Sequence, residues 1–151
     1  MLKTHPTLFI GSDHAGFQLK EFLVGKLNLA YPTVDMGCPG EDSVDYPIIA
    51  RSLTASVLQN ISSAVGILLC GSGNGMCMSA NRTPGIRAAL CWNVEIATLA
   101  RLHNNANLLC LPARFLNQEE AWNIVQSFLQ TPFEGGRHLR RIELLDSAKS
   151  F

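Results

Sequence analysis

Residues Ala64-Val65-Gly66-Ile67-Leu68-Leu69-Cys70 form a seven-residue run without a charged or hydrogen-bonding polar side chain. An apolar run of this length, with no alternation, reads as a strand covered on both faces, and such strands belong to parallel sheets. Shorter apolar runs recur at Thr7–Gly11, Thr33–Met36, Ile86–Cys91 and Ala106–Leu111. Helix-like segments lie between them. Phe17–Leu29 places Phe17, Leu19, Phe22, Leu23 and Leu27 close to a helical period. A second helix starts at Asp45-Tyr46-Pro47 and runs to about Gln59, with the proline suited to a first turn. Met76–Arg82, Val94–Leu102, Gln118–Leu129 and Gly136–Leu145 complete the set. Strand and helix therefore alternate from end to end. With right-handed crossovers, this predicts an α/β fold, a doubly wound α/β/α sandwich around a five-stranded parallel sheet.

Composition narrows the classes. The 151 residues, 47% of them hydrophobic, suit one domain over 1–151 with a substantial core. Twelve basic and twelve acidic residues leave no net charge, which argues against general binding to nucleic acid. A near-neutral apolar chain also tends to self-associate. The five cysteines, Cys38, Cys70, Cys77, Cys91 and Cys110, include no Cys-x-x-Cys pair, so neither a disulfide framework nor a zinc knuckle is expected. No apolar stretch approaches the roughly 20 residues of a membrane span, and residues 1–7 do not resemble a signal peptide. A reducing, cytoplasmic setting is the expectation.

In a doubly wound fold, ligands sit beyond the strand ends, so polar residues there carry the functional signal. The first strand runs into Ser12-Asp13-His14-Ala15-Gly16. Ser12 or Asp13 alone would serve as a helix cap; His14 beside free amides can also face an anion. The third strand runs into Cys70-Gly71-Ser72-Gly73-Asn74-Gly75. The loop lacks the lysine of an ATPase phosphate loop, and its spacing and strand position fit a dinucleotide fingerprint poorly. Its amides can still form an anion nest. At a helix N-terminus, Cys70 is expected to have a lowered thiol pKa, whereas the other four cysteines read as packing.

Further on come His103-Asn104-Asn105-Ala106-Asn107, whose amides suit a polyhydroxylated ligand, and Arg114 after the fifth strand. Arg137 and Arg141 are four apart on the last helix, and arginine pairs of this kind suit phosphate. A thiol, imidazoles, amides and arginines form a toolkit for a small phosphorylated polyol.

In their order, these motifs resemble the type B ribose-5-phosphate isomerases and their relatives, the galactose-6-phosphate and allose-6-phosphate isomerases. Asp45-Tyr46-Pro47, Ala80-Asn81-Arg82, Gly85-Ile86-Arg87-Ala88-Ala89 and Gly135-Gly136-Arg137-His138 extend the resemblance over about residues 8–145. It implies a Rossmann-like sandwich and a homodimer or tetramer with active sites at the subunit interface. It implies no metal, no cofactor and no membrane partner. The implied reaction interconverts ribose 5-phosphate and ribulose 5-phosphate, with Cys70 as the base. Ser72 and the Gly71, Gly73, Asn74 and Gly75 amides would hold the enediolate. Asp13 and His103 would open the sugar ring, and Tyr46 and Asn104 would line the sugar. His14, Arg114, Arg137 and Arg141 would hold the phosphate, with His138 beside them on a C-terminal helix at about 136–146.

One branch of the family places a glutamate base where this chain has Met76, which favours Cys70 here. Ser72 stands where the cysteine branch often has threonine. Two other readings fit the same fold: a hexose 6-phosphate isomerase, and a non-catalytic sugar-phosphate sensor. Loss of Cys70 or His103 would favour the sensor, and both are present. A thiol redox role is disfavoured, because no second cysteine is near Cys70 in sequence.

Overall fold

The computed structural model describes residues 5–147. Five strands, β1 Thr7–Ser12, β2 Thr33–Asp35, β3 Ala64–Cys70, β4 Ala88–Leu90 and β5 Leu108–Pro112, form one sheet in the order β2-β1-β3-β5-β4. Every strand pair is parallel. Six helices connect or follow them: α1 Phe17–Leu27, α2 Tyr46–Gln59, α3 Asn74–Ala80, α4 Val94–Asn104, α5 Gln118–Gln130 and α6 Arg137–Glu143. The expected α/β/α sandwich is met.

The central strands β1, β3 and β5 are almost wholly buried, which explains why their sequences do not alternate. One core lies between the sheet and α1, α4 and α5, around Leu23, Ile67, Leu109 and Phe128. The other lies between the sheet and α2 and α3, around Leu53, Leu68, Met76 and Cys110. The chain leaves β1 toward the first face and β3 toward the second. The crevice between their carboxyl ends is therefore the topological switch point, where such folds bind ligands.

β1 and β2 each differ from expectation by one residue at their ends, and β4 and β5 by more. β4 spans only Ala88–Leu90, although the apolar run is Ile86–Cys91. Ile86 and Cys91 lie outside the assigned strand and each enters a core, although the Cys91 amide still donates to the Cys110 carbonyl of β5 at 3.0 Å. β5 begins at Leu108 rather than Ala106, because the preceding asparagines form a turn. Asn105 adopts a left-handed conformation at φ 44°. Buried Asn107 accepts from the Arg87 amide and donates to the Gly85 carbonyl. Of the three asparagines expected to face a ligand, only Asn104 is exposed.

Candidate active site

The ends of β1, β3 and β5 bring one group of the expected residues together. Asp13 is buried beside β3; its amide donates to the Leu69 carbonyl at 3.1 Å. Its carboxylate Oδ1 accepts from the Ala15 and Gly16 amides, capping the short turn His14–Gly16. The Val44 amide donates to His14 Nδ1 at 3.3 Å. A nitrogen that accepts this bond carries no proton, so His14 presents Nε2–H. The loop that delivers Val44 is anchored at its start: buried Lys20 pairs with Asp35 at 2.6 Å, and Asp35 accepts from the Gly37 amide.

Cys70 ends β3 with 5% of its surface exposed. The amides of Met76, Gly73 and Gly75 face its sulfur. Gly73 bends the loop at φ 77°, a conformation that strains any residue with a side chain. These amides work against burial, which is the larger effect, and the Asp13 carboxylate adds to burial. The net result is a thiol pKa raised above its ordinary value, which corrects the expectation that the nest would lower it. Met76 is fully buried, so its contribution is its backbone amide. Ser72 Oγ accepts from the Asn74 amide at 3.4 Å. The Arg114 amide donates to the Gly71 carbonyl, and its guanidinium lies over Gly71. Tyr46 reaches in from the start of α2 and packs on Gly75. Beside Ser72 and Asn74, the exposed Trp92 and Phe115 form an apolar rim with Leu90 and Pro112.

The second group lies at the opposite edge of the sheet. α4 runs back from β4 and ends with His103 and Asn104, just before β5 starts level with Gly66 at the beginning of β3. Cys70 is level with Pro112, at the far end of β5. Four strand steps of about 3.3 Å separate the two edges, roughly 13 Å of sheet. One chain therefore does not bring His103, Asn104, His138, Arg137 or Arg141 to Cys70.

These residues form a cluster of their own. α6 packs on α4, and His103, Asn104, His138, Arg141, Ile142 and Leu145 line a cavity of about 270 Å³. Arg137 is exposed at the start of α6. His103 and His138 stack with ring centroids 4.3 Å apart and planes 12° apart. Burial, then His103, lowers the His138 pKa; Glu134 opposes this, and Arg137 and Arg141 add to it. Among the described residues, His103, Glu134 and His138 also have metal-ligand spacing, with ligand atoms within 4.8 Å of one another. A coordinating imidazole holds its ion in the ring plane, and one ion cannot lie in both of two stacked planes. As they stand, the pair is not built to share a metal.

Sequence reasoning missed four features: the Val44 amide, the Met76 amide, the apolar rim and Glu134. Only Glu134 left a signal, as an acidic residue directly before Gly135-Gly136-Arg137-His138. The space around Cys70 holds a further surprise. Leu68 pairs with Cys110 and Cys70 with Pro112, so Cys70 and Cys110 share one sheet face on neighbouring strands. The Cys77 thiol donates to the Ala88 carbonyl at 3.5 Å, and the neighbouring Cys110 thiol is the first cause of the lowered Cys77 pKa. Cysteines distant in sequence are therefore neighbours in space.

A family model described as Ribose/Galactose Isomerase matches residues 8–145. The ribose-5-phosphate isomerase B of Mycolicibacterium paratuberculosis is 41% identical over 141 residues, 91% of this chain and 88% of its own. The crystal structure of a ribose 5-phosphate isomerase from Thermotoga maritima matches with a TM-score of 0.91 at 50% identity, covering 94% of this chain and 98% of that one. Ribose-5-phosphate isomerase B from Mycoplasma genitalium, solved with ribulose-5-phosphate bound, matches with a TM-score of 0.88 at 43% identity, covering 91% of each chain. A match this long, carried by sequence and backbone alike, establishes that the chain belongs to the ribose/galactose isomerase family.

Proposed function

We propose that this protein interconverts D-ribose 5-phosphate and D-ribulose 5-phosphate. The observation that carries the reading is the Cys70 sulfur, buried at the switch point under three backbone amides. A proton alpha to a carbonyl needs both a base and donors for the oxyanion that forms, and this arrangement supplies both. The Mycoplasma genitalium relative with bound ribulose-5-phosphate supports the pentose as substrate.

The reaction begins with ring opening. Asp13 and His103 move the C1 hydroxyl proton to the ring oxygen as the C1–O ring bond breaks, which exposes the aldehyde. The Cys70 thiolate then removes the C2 proton, and the electron pair shifts onto the C1 oxygen. Ser72 and the loop amides of Gly71, Gly73, Asn74 and Gly75 stabilise the enediolate. The thiol returns the proton to C1, and the O2 proton passes to O1, leaving the ketone at C2. Tyr46 and Asn104 line the sugar. His14, Arg114, Arg137 and Arg141 hold the phosphate, which supplies binding energy away from the reacting carbons.

Because the two halves of this machinery lie at opposite sheet edges, the site is complete only between two copies of the chain. His103, Asn104, Arg137, His138 and Arg141 of one copy meet Cys70 of another, in a homodimer or a tetramer built from dimers. The exposed apolar rim of Trp92 and Phe115 beside the glycine loop supports a cover there. On this reading residues 1–151 act as one isomerase domain, with α6 supplying phosphate ligands. Among the described residues no helix is long and apolar enough to cross a membrane, and the free thiols suit a cytoplasmic setting.

Turnover of ribose 5-phosphate by EDTA-treated protein, compared with C70A, tests the proposal. The expected result is turnover that survives EDTA and falls by roughly 100-fold or more in the variant. An equally active C70A removes the thiol base. A folded wild-type protein that leaves ribose 5-phosphate unchanged removes the pentose activity, and allose 6-phosphate is then the next substrate to assay.

A further inference from the structure

We propose that Glu134 is a positioning residue for His103, its carboxylate fixing the imidazole and its tautomer for sugar ring opening. The inference rests on the isomerase reading above and adds a residue to it.

Glu134 is brought to His103 by its backbone. Its amide donates to the Leu102 carbonyl at 3.0 Å, which ties residue 134 to the last turn of α4. Gly135 and Gly136 follow with φ of 74° and 57°, a pair of left-handed conformations that reverses the chain into α6. The reversal sets Glu134 and His138 against the same ring. Glu134 Oε2 lies 3.7 Å from Nε2 of His103 and 3.7 Å from Nε2 of His138.

The alternative is an exposed carboxylate near two imidazoles by accident. His138 argues against that. Its Nε2 is fully buried and has no hydrogen-bond partner among the described residues, so Glu134 is the polar group that faces it. Buried polar nitrogens are rarely left without a partner. The Glu134 side chain is 59% exposed and free to turn, and catalytic hydrogen bonds commonly tighten from such distances once substrate is bound.

The arrangement assigns the nitrogens of His103. A carboxylate facing Nε2 holds the proton there and leaves Nδ1 with its lone pair. Nδ1 can then accept the C1 hydroxyl proton and deliver it to the ring oxygen. The imidazolium formed in between lies opposite the Glu134 carboxylate. The logic is that of any carboxylate-oriented histidine. His138 backs the ring as a stacked plate at 4.3 Å.

Ring opening can be separated from proton transfer at carbon. Ribulose 5-phosphate is open-chain, so exchange of its C1 proton with deuterated solvent needs the residues that bind it, Cys70 and the amides, but no ring opening. In E134Q the rate of ribose 5-phosphate turnover should fall about 10- to 100-fold, while deuterium wash-in at C1 of ribulose 5-phosphate, followed by NMR, stays within about threefold of wild type. E134D should retain more turnover than E134Q. An E134Q enzyme that matches wild type on ribose 5-phosphate overturns the role, as does equal loss of turnover and wash-in, which marks a merely structural residue. Wild-type protein without turnover overturns the isomerase reading, and the Glu134 role with it.

Discussion

The phenol end of Tyr46 fills the space that a side chain on Gly75 would need: a β-carbon there would lie 2.6 Å from Tyr46 Cζ. The loop amides and the ring proposed to line the sugar are thus in direct register. Tyr46 is 39% exposed and can swing outward, so G75A should harm function more than stability. We expect KM for ribose 5-phosphate to rise about tenfold, with unfolding free energy changed by less than about 1 kcal/mol. Steady-state kinetics beside urea denaturation checks both.

The separation of the two site halves predicts complementation. C70A and H103A should each be nearly inactive alone. After mixing, with dissociation and reassociation allowed, half of the dimers are mixed and each has one intact site. About a quarter of wild-type activity should return. If activity stays at the level of the separate variants, both halves act within one chain and the shared site is wrong.

The raised thiol of Cys70 predicts slow alkylation at neutral pH. Iodoacetamide reacts with the thiolate, so the rate should keep climbing above pH ~9.5, where an unperturbed cysteine with a pKa of about 8.5 is mostly ionised and levels off. D13N removes the carboxylate that disfavours the thiolate while keeping an acceptor for the Ala15 and Gly16 amides. The alkylation profile should move to lower pH in D13N. A profile identical to wild type would show that the two groups are not electrostatically coupled.

Alkaline stability offers a test away from the site. Cys91 is pushed up to about 12, first by burial and then by Cys77. The unfolded chain releases this proton near pH ~8.5, whereas the folded chain keeps it. The folded state then binds more protons than the unfolded state, so stability is full below that pH and falls as pH rises toward 12. The slope is about 1.4 kcal/mol per pH unit while only the unfolded thiol is ionised. Urea melts of wild type and C91A at pH 8, 9.5 and 10.5 should show a shallower decline in the variant, whatever its starting stability; parallel declines would exclude Cys91 as a source.

Much of this molecule is legible in its sequence. The run Ala64–Cys70 appears as β3 with the same bounds, and helices α1, α2, α4 and α5 begin where their periodic segments begin. Periodicity, capping and turn chemistry are local properties, and a strand buried on both faces has to be apolar throughout. The glycine loop is legible for the same reason, since few other sequences can aim successive amides at one point. β4 was less legible, because Ile86 and Cys91 are buried just outside the strand, and an apolar residue looks the same inside a strand or beside it.

By itself, the sequence determined which segments become strands and helices, which polar residues follow them, and which family the motifs resemble. Tertiary structure decided the rest. It set the strand order β2-β1-β3-β5-β4, which opens the crevice between β1 and β3. It raised the Cys70 thiol, because desolvation depends on the atoms that surround a group and outweighs three amides that the local motif does announce. It placed His103 and Cys70 at opposite edges of the sheet, since a helix that returns from one parallel strand to the start of the next must end at the far edge. It also brought Glu134 to His103 across a gap in sequence that no local pattern spans.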